Sequence, residues 1–203
     1  MASDMESRTG QSEVRMNRSE LRPVLLTVVL YASLDLLVTF ISLYTQPKGG
    51  LVGVFRSADT IPLHLFFLAL GGVALGLLSI LVFRRFDLGL VVLIPSIVIL
   101  TDLDHLPSAL GIDQPIRPTH SLVFIAVAFV LVATVIRRPD LSFAVMSGFF
   151  AHLAVDTGLF PPFSPISFNY YTLGDYQPAF IALALSSALV AGYLGKRRTI
   201  TVK

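Results

Sequence analysis

The chain has 203 residues, 54% of them hydrophobic and only 14% charged, and its mean hydropathy is +0.77. Soluble domains carry about 25% charge, and a soluble fold of this length has nowhere to hide so much apolar surface. Helices in a bilayer accept apolar side chains on every face. A formal charge of +2 is too small to suggest a nucleic-acid partner, and the lack of cysteine excludes a disulfide framework and a thiolate metal site.

Residues 1–22 are polar and mixed in charge, with four arginines against Asp4, Glu6, Glu13 and Glu20; they read as a disordered cytoplasmic tail. The apolar run that follows is too long for a cleaved signal segment. Six apolar segments are expected, at 23–45, 61–83, 88–106, 120–136, 141–160 and 178–195. Each is close to the ~20 residues that a spanning helix needs. Residues 23–198 therefore predict an all-α, polytopic membrane helix bundle of about six transmembrane helices. Gly71, Gly72 and Gly76 in the second segment suit close helix packing in lipid.

Orientation follows from Lys and Arg. With six spans both termini share one side, and twelve of the fifteen basic residues fall on it. Only Lys48, Arg56 and Arg117 lie on the other. Both termini are thus expected in the cytoplasm of a cell-membrane protein, with the loops at 46–60, 107–119 and 161–177 facing outward.

All four histidines fall on that outward side, although the orientation argument used none of them. His64 opens the second segment, Asp102, Asp104 and His105 end the third, His120 opens the fourth, and His152 and Asp156 lie in the outer half of the fifth. At 1.5 Å per residue, Asp102 and Asp156 sit roughly 20–25 Å from the inner surface of a ~30 Å core.

Three clusters carry the chemistry. Asp102-Leu103-Asp104-His105 can turn two or three side chains toward one ion at a helix end. In Thr119-His120-Ser121 the flanking hydroxyls can orient the imidazole. His152 and Asp156, four apart, share a helical face. Imidazole and carboxylate together suit zinc, with manganese or iron as alternatives. Each cluster also has a plainer reading: an interfacial His64, a solvated helix cap at Asp102–His105, a helix-start His120, a His152–Asp156 hydrogen bond between helices. Ionisable groups inside a span are costly and usually functional, and the plainer readings leave the shared face unexplained. Asp35, mid-span in the first segment, reads as a group bonded between helices or one that supports the site. Phe160-Pro161-Pro162-Phe163-Ser164-Pro165 is a stiff aromatic turn, and Tyr170, Tyr171 and Tyr176 read as an interfacial belt.

These residues resemble the inner-membrane metal-dependent hydrolase family often called YdjM-like. The matching elements are His64, Asp102 with Asp104 and His105, Thr119-His120-Ser121, His152 with Asp156, and the Pro-Phe-Ser-Pro stretch at 162–165. They cover about residues 61–166. The chain departs from the family at Thr101, where Pro is usual. It departs again at Gln114-Pro115-Ile116-Arg117-Pro118, which keeps the Arg of a His-Arg pair without the His.

The resemblance implies hydrolysis of a phosphoester or lipid-linked substrate. A divalent metal on Asp102, His105, His120, His152 and Asp156 would activate water. Asp104 or His64 is expected as general base or second-metal ligand, and Arg117 as the clamp on an anionic substrate oxygen. The bilayer is the expected partner. The alternatives are a metal-ion or proton transporter, a haem protein, and a non-catalytic scaffold held by metal.

Overall fold

A computed structural model describes residues 18–45, 61–84, 87–110, 112, 117–156, 159–167 and 169–201. The fold is all-α apart from one two-residue strand pair. Among the described residues there are seven helices: α1 (Arg18–Thr45), α2 (Ile61–Phe83), α3 (Leu88–Leu100), the short α4 (Leu106–Ala109), α5 (Leu122–Leu131), α6 (Pro139–Val155) and α7 (Gln177–Thr201). β1 (Leu159–Phe160) pairs antiparallel with β2 (Tyr171–Thr172) between α6 and α7.

Among the described residues three stretches are long and apolar enough to cross a membrane: Leu21–Tyr44, Leu65–Phe83 and Leu173–Arg198. Burial confirms the solvent they suit. Leu25, Val29, Leu37, Phe66, Phe67 and Leu81 are exposed, while Thr27, Asp35, Thr39, Thr101, Asp104, Thr119, His120 and His152 are buried. Polar groups inside and large apolar side chains outside is the arrangement that lipid stabilises and water does not.

The other apolar segments are shorter than expected. The third leaves α-geometry at Leu100 for a 3₁₀ turn at Thr101–His105, so α3 has 13 residues and rises about 20 Å. The fourth starts at Leu122 and ends in a π-turn at Val132–Ile136, followed by Arg137 in the left-handed region. The fifth begins at Pro139 and stops at Val155. At its N-terminal end α1 is longer than expected: Arg18–Arg22, assigned to the polar tail, are already helical. Polarity excludes a segment from lipid, not from a helix.

α3 is the packing centre. Leu93, Ile94, Ile97 and Val98 are fully buried among α1, α2 and α6. Missing side chains on the neighbours permit this. A Cβ on Gly72 would lie 2.6 Å from Pro95 Cα, and one on Gly148 would lie 2.7 Å from the Ile94 carbonyl oxygen. Gly76 also faces α3, whereas Gly71 faces open space. α7 packs along α6. Tyr31, half-way along α1, hydrogen-bonds Thr101 through its hydroxyl at 2.8 Å. This pins the 3₁₀ turn level with the middle of α1 rather than its C-terminal end.

Candidate metal centre

Four short elements meet at that level: the 3₁₀ turn Thr101–His105, the 3₁₀ turn Pro118–His120, the last turn of α6 and its cap residue Asp156. All are helix ends, where the backbone is free to turn side chains inward. Two groups of ligand atoms result: Asp102 with His105 and His120, and His120 with His152 and Asp156, each within 4.8 Å. His120 belongs to both.

The hydrogen bonds fix which nitrogens face the centre. His120 Nδ1 lies 2.8 Å from Asp104 Oδ2. A carboxylate only accepts, so Nδ1 carries the proton and Nε2 the lone pair. His152 Nδ1 lies 2.9 Å from the Val98 carbonyl oxygen, with the same consequence. The two Nε2 atoms then face each other at 2.9 Å with a lone pair on each. Two acceptors at that distance repel unless a proton or a cation lies between them. Tetrahedral zinc places neighbouring nitrogen ligands roughly 3.3 Å apart, close to what is seen here. His105 Nε2 is 3.3 Å and His152 Nε2 3.5 Å from Asp102 Oδ1, and His120 Nε2 is 3.7 Å from Asp156 Oδ2.

Charge agrees. Asp102, Asp104 and Asp156 outnumber the guanidinium of Arg117 beside them, so the cluster has negative charge to offer a cation. Asp104 Oδ1 is buried and accepts no hydrogen bond. The donor set of imidazole nitrogen and carboxylate oxygen therefore fits a metal ion.

Arg117 lies in the centre of these donors. Its Nη1 is 2.5 Å from Asp156 Oδ2, and its Nη2 is 2.8 Å from His105 Nε2 and 2.5 Å from His120 Nε2. The side chains of Asp102, Arg117 and His105 are 16%, 22% and 32% exposed, against 0% for Asp104, His120 and His152. The cluster therefore opens on its Asp102–His105 side and is closed behind.

Several expected residues take other places. Asp104, expected as base or ligand, is fully buried behind His120. It accepts from His120 Nδ1 and, at 2.7 Å, from the Thr119 hydroxyl, contacts that hold the imidazole from behind. Ser121, expected to orient the imidazole, instead caps α5 by accepting from Phe124 N at 3.0 Å. Asp156 reaches the site as the extended residue after α6, with its N–H bonded to the His152 carbonyl at 3.0 Å, not from a shared helical face. Asp35 is buried in α1 and neither carboxyl oxygen has a hydrogen-bond partner; it lies on a buried stripe with Thr27, Tyr31, Thr39 and Ser42. His64 lies in the first turn of α2, and its side chain falls outside the described residues. The Pro-rich turn supports the site from outside, since the Pro162 carbonyl accepts from Leu122 N at 2.9 Å. Tyr171 and Tyr176 pack against Phe160. Sequence reading did not find the Val98 carbonyl, which has no side-chain signal, or the Tyr31–Thr101 bond, for which the polar hydroxyl of Tyr31 within a span was the available clue.

Compared with family models, with curated proteins and with solved structures, the chain matches none.

Proposed function

We propose that this chain is a six-span membrane protein with both termini in the cytoplasm, and a metal-dependent hydrolase of a phosphoester or lipid-linked substrate. Asp102, His105, His120, His152 and Asp156 hold a divalent metal, zinc being the best fit, in a site reached from the extracytoplasmic side. The observation that carries the reading is the pair of inward-facing Nε2 lone pairs on His120 and His152, each fixed by a bond from its own Nδ1. Backing of that kind holds an imidazole in the ligating tautomer. When bound, the ion supplies the acidity that lets water attack near neutral pH.

The chain's own residues do the rest. Asp104 and the Val98 carbonyl hold the two imidazoles, and burial behind them excludes bulk water. The Arg117 guanidinium, at the open side, matches two oxygens of a phosphoester. The resemblance to the YdjM-like hydrolases and the position of the cluster among apolar helices support a lipid or lipid-linked substrate. A second reading rests on the Arg117 contacts: the same residues form a purely structural ion-pair staple.

Metal content of detergent-purified protein, measured by inductively coupled plasma mass spectrometry, separates the two. The proposal expects about one or two transition-metal ions per chain, lost in a His152→Ala, Asp156→Ala double variant. Metal-free protein from chelator-free preparations would leave the staple. A phosphoester hydrolysis screen on the loaded protein then decides whether the centre is catalytic.

A further inference from the structure

The proposed metal and Arg117 need the same atoms. The guanidinium Nη2 stands 2.5 Å from His120 Nε2 and 2.8 Å from His105 Nε2, and Nη1 stands 2.5 Å from Asp156 Oδ2. Each of the two ligand groups, Asp102 with His105 and His120, and His120 with His152 and Asp156, contains two of those three atoms, so an ion bonded in either group at the usual ~2.0–2.2 Å would need lone pairs that the guanidinium occupies. The lone pair that accepts from Arg117 is also the lone pair that would ligate, because His120 Nδ1 already serves Asp104. The guanidinium and the ion cannot both hold these lone pairs. Arg117 yields by moving.

We propose that Arg117 is a tethered cation that competes with the divalent metal for its ligands, so that metal entry drives its guanidinium out toward the open side of the cluster. This inference rests on the metal-site reading. The side chain is already 22% exposed, and Asp102 and His105 beside it are also partly exposed, so the cluster meets solvent on the side of Arg117. The Arg117 Nε is buried and makes no hydrogen bond, so the inward position leaves one donor unsatisfied. Outward movement can hydrate it, which offsets part of the loss of the inward contacts. The displaced guanidinium is then the cation next to an incoming phosphoester oxygen. Metal loading thereby arms the substrate clamp.

Competition lowers apparent affinity by the fraction of molecules with Arg117 outside. Zinc affinity, measured by competition with a chelator, should therefore rise at least about tenfold in Arg117→Gln, which keeps polarity without charge. Arg117→Lys should fall between the two. Unchanged or weaker binding in Arg117→Gln, with wild type still holding zinc, overturns the competition and leaves the metal site standing. Zinc binding by neither protein overturns the site itself. A readout on wild type guards against a variant that fails to fold: modification of Arg117 by phenylglyoxal, followed by peptide mass spectrometry, should accelerate severalfold when zinc is added. An unchanged or slower rate means that Arg117 stays where it is, and the proposal fails.

Discussion

Two arginines of this chain each meet a carboxylate at 2.5 Å, and the two ion pairs have opposite meanings. Arg138 and Asp140, two residues apart at the start of α6, form a closed fork: Nε to Oδ1 at 2.8 Å and Nη2 to Oδ2 at 2.5 Å. Both groups sit at one end of one helix. Arg117 instead joins the two 3₁₀ turns to the residue that ends α6, and serves two carboxylates, Asp156 and Asp102, and two imidazoles, His105 and His120. The cluster has more acceptors than its own cation can satisfy. A short Arg–Asp distance therefore says little about function, whereas a surplus of buried acceptor lone pairs says a great deal, because burial makes each one costly without a partner.

The comparison breaks most visibly at Asp140. Removing this carboxylate in Asp140→Ala strips a nearly buried guanidinium of its fork, at a cost on the order of 3 kcal/mol. The thermal midpoint in detergent should fall by roughly 6–12 °C. Zinc affinity of the folded fraction should stay within about twofold, since the pair lies at the opposite end of α6 from His152. A parallel loss of zinc affinity would show that the two ends are not independent.

Asp104→Asn tests the other pair. It keeps the shape behind His120 but removes the charge that holds the Nδ1 proton, so zinc affinity should fall about 10–100-fold, with a smaller change in thermal midpoint than in Asp140→Ala. An affinity within twofold of wild type would mean that Asp104 merely fills space.

Much of this was legible in the sequence, and the reasons for the remainder are local. Apolar run length located six segments, and α1, α2 and α7 have the length a span requires. Run length could not show that α3 stops at Leu100, because Thr101-Asp102-Leu103 continues the chain as a 3₁₀ turn without any Gly or Pro to mark the change. The grouping of Asp102, His105, His120, His152 and Asp156 was expected from the order of their segments, and the structure brings them into two overlapping groups. Their division of labour was not. Which carboxylate ligates and which supports an imidazole depends on ångström-scale backbone placement, and Asp102 and Asp104 look alike in sequence. Arg117 was read as a substrate clamp from its chemistry, and nothing in the sequence marked it as lying among the ligands.

The smallest expected effect concerns the two hydroxyls that flank His120. Sequence treats Thr119 and Ser121 alike, but the structure gives Thr119 to Asp104 and Ser121 to the first turn of α5. Ser121→Ala removes a helix cap and should cost about 1 kcal/mol, a fall of roughly 2–4 °C in thermal midpoint, with zinc affinity unchanged. Thr119→Val removes one of the two donors to Asp104 Oδ2 and should weaken zinc binding with little change in midpoint beyond that of the cap variant. If Ser121→Ala were the one to weaken zinc binding, the hydroxyl after His120 would be steering its imidazole. The Asp104 carboxylate would then not be enough to fix the ring, and the case for His120 as a ligand held from behind by that carboxylate would have to be rebuilt around Ser121.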